Sequence, residues 1–152
     1  GNLTGAADDA IAADAKALVG SGLTIVEAVG LPSAVQEVSV TASGNYVFGL
    51  RAAGYGINGG NQYHPASGEY ITLKLALTPA GKILDCVTLS QAESQGIGDA
   101  CADKSFYGQF DGRDQSNYKD IDAIGGATIT TDGYLKAIER AYEALAILRG
   151  EG

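Results

Sequence analysis

The sequence has no methionine and no tryptophan, a single histidine (His64) and two cysteines (Cys86 and Cys101) in 152 residues. A zinc site rich in Cys and His needs about four such ligands, so that chemistry is excluded. A Cys-His or Ser-His nucleophile would have to recruit His64, which sits in the polar stretch Gln62-Tyr63-His64-Pro65 and reads as a solvated surface side chain. Positive charge is scarce as well: 10 Lys and Arg stand against 18 Asp and Glu, for a net charge of −8. A domain this acidic is a poor grip for phosphate backbones, and nucleic acid is not an expected partner. No apolar run is long enough to cross a bilayer, and no segment reads as a signal peptide. The chain opens Gly1-Asn2-Leu3-Thr4 without a methionine, and we expect a trimmed chain whose anchor or export signal lies upstream. The two cysteines leave two readings open. A disulfide would contribute about 3 kcal/mol on the chain-entropy model and argue for an oxidising compartment. Two buried thiols acting as small hydrophobes would argue for neither.

What is present is an ordinary globular composition, 45% hydrophobic and 18% charged, in a length that suits one domain spanning 1–152. Residues 5 to 19 have helical spacing, with Thr4 placed to cap and Ile11, Ala15, Leu18 and Val19 on one face. A second short helix is expected over Thr24 to Val29, completing a helical N-terminal segment over 1–33. The period then switches to two. Val38, Val40 and Ala42, the turn Ser43-Gly44-Asn45, and Tyr46, Phe48 and Leu50 predict a hairpin. The glycine-rich stretch from Gly54 to Gly60 reads as a mobile loop. Tyr70 to Thr78 is a clear strand, with Ile71, Leu73, Leu75 and Leu77 on one side; Pro79-Ala80-Gly81-Lys82 turns the chain into a return strand from Ile83 to Leu89. Residues 91 to 131 are irregular, and a loop that long inside a small domain is usually functional. An amphipathic helix from Gly133 to Leu148 closes the chain, its stripe formed by Leu135, Ile138, Tyr142, Leu145 and Leu148. The order predicts an α+β fold: a twisted antiparallel sheet with packed N-terminal and C-terminal helices, the sheet, loops and last helix filling 34–152.

The most informative segment is Asp122-Ala123-Ile124-Gly125-Gly126-Ala127-Thr128-Ile129-Thr130-Thr131-Asp132. Small residues let a ligand approach the backbone, and hydroxyls follow at the start of a helix. Free N–H groups and the positive dipole end there favour a phosphate, so Thr128 sits where a phosphate-bearing ligand would meet a hydroxyl. The plain alternative is a glycine turn with Thr130 or Thr131 as an N-cap. The run Asp111, Asp114, Asp120 and Asp122 lacks the spacing of an EF-hand and reads as a solvated loop.

The same segment resembles the flavinylation motif of the FMN-binding domain family, which includes the G subunit of the Rnf electron-transport complex and the C subunit of the sodium-translocating NADH:quinone reductase. Asp122, Gly126-Ala127, Thr128 and the pair Thr130-Thr131 match that motif; Gly125 departs from it, where the family usually has Ser or Thr. Upstream, Ala92-Glu93-Ser94-Gln95-Gly96-Ile97-Gly98 resembles the family's Glu-Thr-Pro-Gly-Leu-Gly loop, with Glu93, Gly96 and Gly98 coinciding. Tyr55 and the pair Phe106 and Phe110 fall near positions where the family carries a Gly-Tyr element and aromatics. The likeness runs across roughly residues 35 to 148, and the two motifs together are more specific than either alone.

The resemblance implies covalent FMN, joined through its phosphate to the Thr128 hydroxyl by a separate flavin transferase that uses FAD and magnesium. It implies Gly126 and Ala127 beneath the ribityl phosphate, and Thr130 with the first helical amides around it. Glu93, Ser94, Gln95, Gly96, Ile97 and Gly98 would lie against the isoalloxazine ring, and Asp122 would fix or identify the loop. It also implies an extracytoplasmic, membrane-associated carrier whose partners are redox proteins of an Rnf-like or extracellular electron-transfer chain. The alternatives are a non-redox ligand-binding or scaffolding module that has lost flavinylation and, last, an enzyme using freely bound FMN. The motifs name neither the electron donor nor the acceptor.

Overall fold

The computed structural model describes residues 23–59 and 67–150. The helix expected over residues 5 to 19 and the His64 segment lie outside the described residues. Five strands form one antiparallel sheet in the order β1-β2-β3-β4-β5: β1 (Thr24–Ile25), β2 (Val35–Val40), β3 (Tyr46–Ala52), β4 (Ile71–Leu77) and β5 (Ile83–Ser90). Three α-helices accompany it among the described residues: α1 (Tyr55–Asn58), α2 (Lys104–Tyr107) and α3 (Thr128–Leu148). This is the expected α+β class. One element is corrected: Thr24–Ile25 is a strand rather than the start of a helix, with Thr24 opposite Val40 and Ile25 opposite Ser39. The run is short and β-branched, and an open edge on β2 outweighs a weak helical period.

The alternation on β3 and β4 separates two faces. Phe48, Leu50 and Ala52, with Ile71, Leu73, Leu75 and Leu77, are buried on the face that α3 covers. Val47 and Ala76 form a smaller cluster on the opposite face with Leu23 and Val87. α3 lies close to the sheet because Ala137, Ala141 and Ala144 give little bulk on its inner side. Its buried stripe is centred on Tyr134, Ile138, Tyr142 and Leu145; the expected stripe residues Leu135 and Leu148 are only partly covered. The Tyr142 hydroxyl donates to the Gly81 carbonyl at 2.8 Å, pinning the helix to the β4–β5 turn.

The long region after β5 is ordered, contrary to a structureless loop. It contains a 3-10 turn at Gly98–Ala102, α2, and another 3-10 turn at Gly108–Phe110. Ile83 N–H donates to the Arg113 carbonyl and Gly112 N–H to the Ile83 carbonyl, so residues 112–113 extend the sheet's pairing beyond β5. Phe106 and Phe110 belong to the core: Phe106 meets Tyr134 edge-on at 5.0 Å and Phe110 stacks on it at 5.7 Å. Such aromatic pairs add about 0.5–1.5 kcal/mol beyond their burial. The glycine-rich stretch also holds structure, since α1 occupies Tyr55–Asn58.

Cys86 and Cys101 are free, buried thiols, which decides between the two readings left open by the sequence. They flank a small polar network inside the core. Thr88 donates to the Cys101 carbonyl at 2.7 Å and accepts from the Tyr134 hydroxyl at 2.7 Å, while Cys86 Sγ lies 3.5 Å from that hydroxyl. Burial pushes both thiols up from 9.0 to about 12. The neutral thiol is thus the folded form, whereas an unfolded chain ionises near 9. Their contribution to stability is complete below that value and is lost as pH rises from 9 towards 12. We expect a urea midpoint that is flat to about pH 8 and falls above it. In the native protein both thiols should resist Ellman's reagent at about pH 8 and react only on unfolding; rapid native labelling would contradict the sealed core.

Candidate functional site

Two segments distant in sequence from Glu93 converge on its carboxylate. Its Oε1 accepts the Tyr55 N–H at 2.7 Å and its Oε2 accepts the Gly56 N–H at 2.8 Å, so both free amides opening α1 are satisfied by one side chain. Oε1 also accepts the Thr130 hydroxyl at 2.6 Å, which ties in the first turn of α3. Glu93 in turn is held by its own N–H, which donates to Gln91 Oε1 at 2.7 Å. The packing leaves no room to loosen: a Cβ at Gly98 would stand 2.5 Å from Thr130 Oγ1 and 3.0 Å from Glu93 Cβ.

The turn before α3 is built with equal economy. Ala127 N–H donates to the Ile124 carbonyl at 3.0 Å, closing a four-residue turn. Gly126 stands at φ +75°, the third position of a type II turn, where a side chain is strained. Thr131 braces the turn from within: its hydroxyl donates to the Ala127 carbonyl at 3.0 Å and accepts the Ile124 N–H at 3.2 Å. Gln109 holds the preceding loop, accepting the Asp122 N–H at 2.8 Å and donating to the Asp122 carbonyl at 3.1 Å. The Asp122 side chain is exposed.

α3 therefore begins at Thr128, five residues before the sequence expectation, with Ala127 at the N-cap and no side-chain cap. Neither Thr130 nor Thr131 is the N-cap; both are buried inside the first turn. Thr128 is exposed at the first helical position, and the opening amides have no partner within the helix. Beside it lies a cavity of about 290 Å³. Its walls are Tyr55, Ser94, Ile97 and Gly98 on one side and Gly126 through Thr130 on the other.

The structure thus brings together Ser94, Ile97, Gly98, Gly126, Ala127, Thr128 and Thr130 of the expected residues. Gln95 and Gly96 are exposed at the tip of the loop and do not line the cavity. Glu93 is beside it, turned to the amides of α1. Tyr55 is visible in the sequence only as part of a Gly-Tyr element, yet it forms a wall; Gln109 carries no such signal because it acts through a backbone partner chosen by the fold, and Thr131, legible as half of the hydroxyl pair, braces the turn rather than capping the helix. A Cβ at Gly125 would meet nothing within 4 Å, so the residue that departs from the motif is not demanded by packing. The cavity is mostly apolar and lacks a lining Lys or Arg, so an anion there would meet helix amides and hydroxyls but no full positive charge.

The residues present fit a group with a planar apolar body and a phosphate: a glycine turn with open space, an exposed hydroxyl, free helical amides, and an apolar wall at Ile97. That combination defines a cofactor-holding α+β domain. The family model of the FMN-binding domain matches residues 67–143, which include the Glu93 loop, the glycine turn and most of α3. The chain belongs to the FMN-binding domain family. It is similar to the G subunit of the proton-translocating ferredoxin:NAD(+) oxidoreductase complex of Clostridium ljungdahlii, 36% identical over 92 residues. That match covers 55% of this chain and 50% of the relative, so the chain spans about half the length of that relative.

The clamp has a direct test. Glu93→Ala strips the acceptor from three donors and should cost about 3 kcal/mol in urea unfolding. Native-state exchange at the Tyr55 and Gly56 amides should accelerate in parallel. Unchanged stability and protection would mean that Glu93 is free to face a ligand.

Proposed function

We propose that the chain, read as a single domain, carries FMN as a phosphoester on Thr128 and serves as an extracytoplasmic electron-transfer unit. Its partners in this reading are redox proteins of a membrane chain of the Rnf type, or of an extracellular electron-transfer system, and a flavin transferase matures it. The observation that carries the reading is Thr128 itself, exposed at an uncapped helix start and lining the cavity of about 290 Å³.

Roles follow residue by residue. Thr128 supplies the acceptor oxygen. Gly126 and Ala127 keep the approach to it open, and the amides of Thr128, Ile129 and Thr130 face the phosphate. The Thr130 hydroxyl is already committed to Glu93, so we assign Thr130 as a positioning residue. Ile97 and Tyr55 form walls for the ring, with Ser94 and Gly98 between them; Gln95 and Gly96 shape the loop tip rather than touch the ring. Bound flavin would supply the electron-transfer chemistry, and the protein would supply orientation and exclusion of water. Among the described residues no helix is long and apolar enough to cross a membrane.

The test is the intact mass after co-expression with a matched flavin transferase. A gain equal to FMN less one water is expected, and none in Thr128→Val. No gain, with the transferase active on another acceptor, would overturn the carrier and leave a non-redox module of the same family. Gly125→Ser finds open space and should fold with unchanged stability, within about 0.5 kcal/mol.

A further inference from the structure

We propose that a second cavity, on the other side of Ile129, binds a small organic anion with a flat apolar body. It has a volume of about 460 Å³, larger than the space beside Thr128, and the two cavities share Ile129 as a wall. Its size falls in the range of small-molecule sites, about 300–1,000 Å³. It opens between the end of β3 and the stretch of α3 from Ile129 to Arg140.

The charge of this cavity is opposite to that of the protein. The chain carries −8 overall, yet the charged walls are Arg51, Lys136 and Arg140 against a single carboxylate, Asp132. Arg140 is engaged by Glu139 and Glu143 on the helix surface. Arg51 and Lys136 are in no ion pair among the described residues. The Arg51 guanidinium lies 4.5 Å from the centroid of the Tyr70 ring, and Tyr70 is itself a wall. The rest of the lining is dominated by small apolar residues at 52, 53 and 137. An aromatic face, an apolar floor and two cations with no ion-pair partner among the described residues suit a ligand with a planar body and one acidic group. A neutral apolar ligand would leave those cations unanswered, and a cation would be repelled. The cavity beside Thr128 has no such cations, so the two sites select different chemistry.

The proposal does not depend on flavin at Thr128, and the experiment uses the unmodified chain and the flavinylated chain side by side. The probe is anilinonaphthalene sulfonate, with neutral phenylnaphthylamine as the control of the same body without the acid. We expect the sulfonate to bind both forms of the chain and to shift the amide resonances of Arg51, Tyr70 and Lys136. Lys136→Gln and Arg51→Gln should each weaken the sulfonate about tenfold. Both should leave binding of the neutral analogue unchanged, and Lys136 is exposed, so its variant should fold normally. The proposal is overturned if the sulfonate does not bind, or if the neutral analogue binds as tightly. Shifts mapping to Ser94, Ile97 and Thr128 would overturn it too. Loss of binding on flavinylation would assign the cavity to the flavin and likewise end the proposal. Failure of flavinylation itself would leave the first arm fully informative.

Discussion

The carboxylate of Glu93 is the constraint on which the geometry of the site depends. It receives the two amides that open α1 and the hydroxyl in the first turn of α3, with Gly98 pressed against the same group. α1 is a single short turn and the loop at 93–98 has little hydrophobic surface of its own, whereas α3 is anchored by its buried stripe. The clamp therefore sets their mutual position, while the sheet and the aromatic cluster around Tyr134 set where the clamp stands. The consequence for Thr128 is indirect but firm. With Thr130 tied down and Thr131 bracing the turn at 124–127, the helix starts at Thr128, which stands exposed at the edge of the cavity. A residue two positions along fixes where Thr128 stands because both lie in one rigid turn.

Much of the fold was legible because its signals are periodic. The alternation of Ile71, Leu73, Leu75 and Leu77 and of Phe48 and Leu50 specified the strands and their inner face. The Gly44 and Gly81 turns specified the hairpins, and both glycines stand at positive φ. The errors share a cause. Thr24–Ile25 became a strand because an edge was available, and α3 began early because Thr131 could satisfy the turn from inside. Tyr134 rather than Leu135 centres the helix stripe because Phe106 and Phe110, brought in from the long loop, needed an aromatic partner. Each case turns on a tertiary neighbour that no local window contains. The site divides in the same way. Thr128, Gly126 and the loop at 93–98 were readable as motifs, but the split of that loop was not. Glu93 turns inward, Ser94, Ile97 and Gly98 line the cavity, and Gln95 and Gly96 point away, a division set by one turn at Gly96, φ +74°.

Magnitudes explain why such a site would need a covalent bond. A helix N-terminus contributes about 0.3–1 kcal/mol to holding an anion, and up to about 2 when partly buried. The apolar walls add contact, but no Lys or Arg lines the cavity beside Thr128. Micromolar retention of a free ligand needs about 8 kcal/mol in total, and the costs of immobilising it come off the gross interaction first. A small cavity without a cation is poorly equipped to supply that. A phosphoester to Thr128 would separate the two tasks: the bond retains the cofactor, and the cavity has only to orient it. The same separation relaxes the electrostatics. A cation placed to grip a phosphate would also sit close to the ring and bias its charge state, whereas helix amides add no full charge. Arg51, Lys136 and Arg140 stand instead on the far side of Ile129, around the other cavity, where the proposed second ligand would meet them away from Thr128.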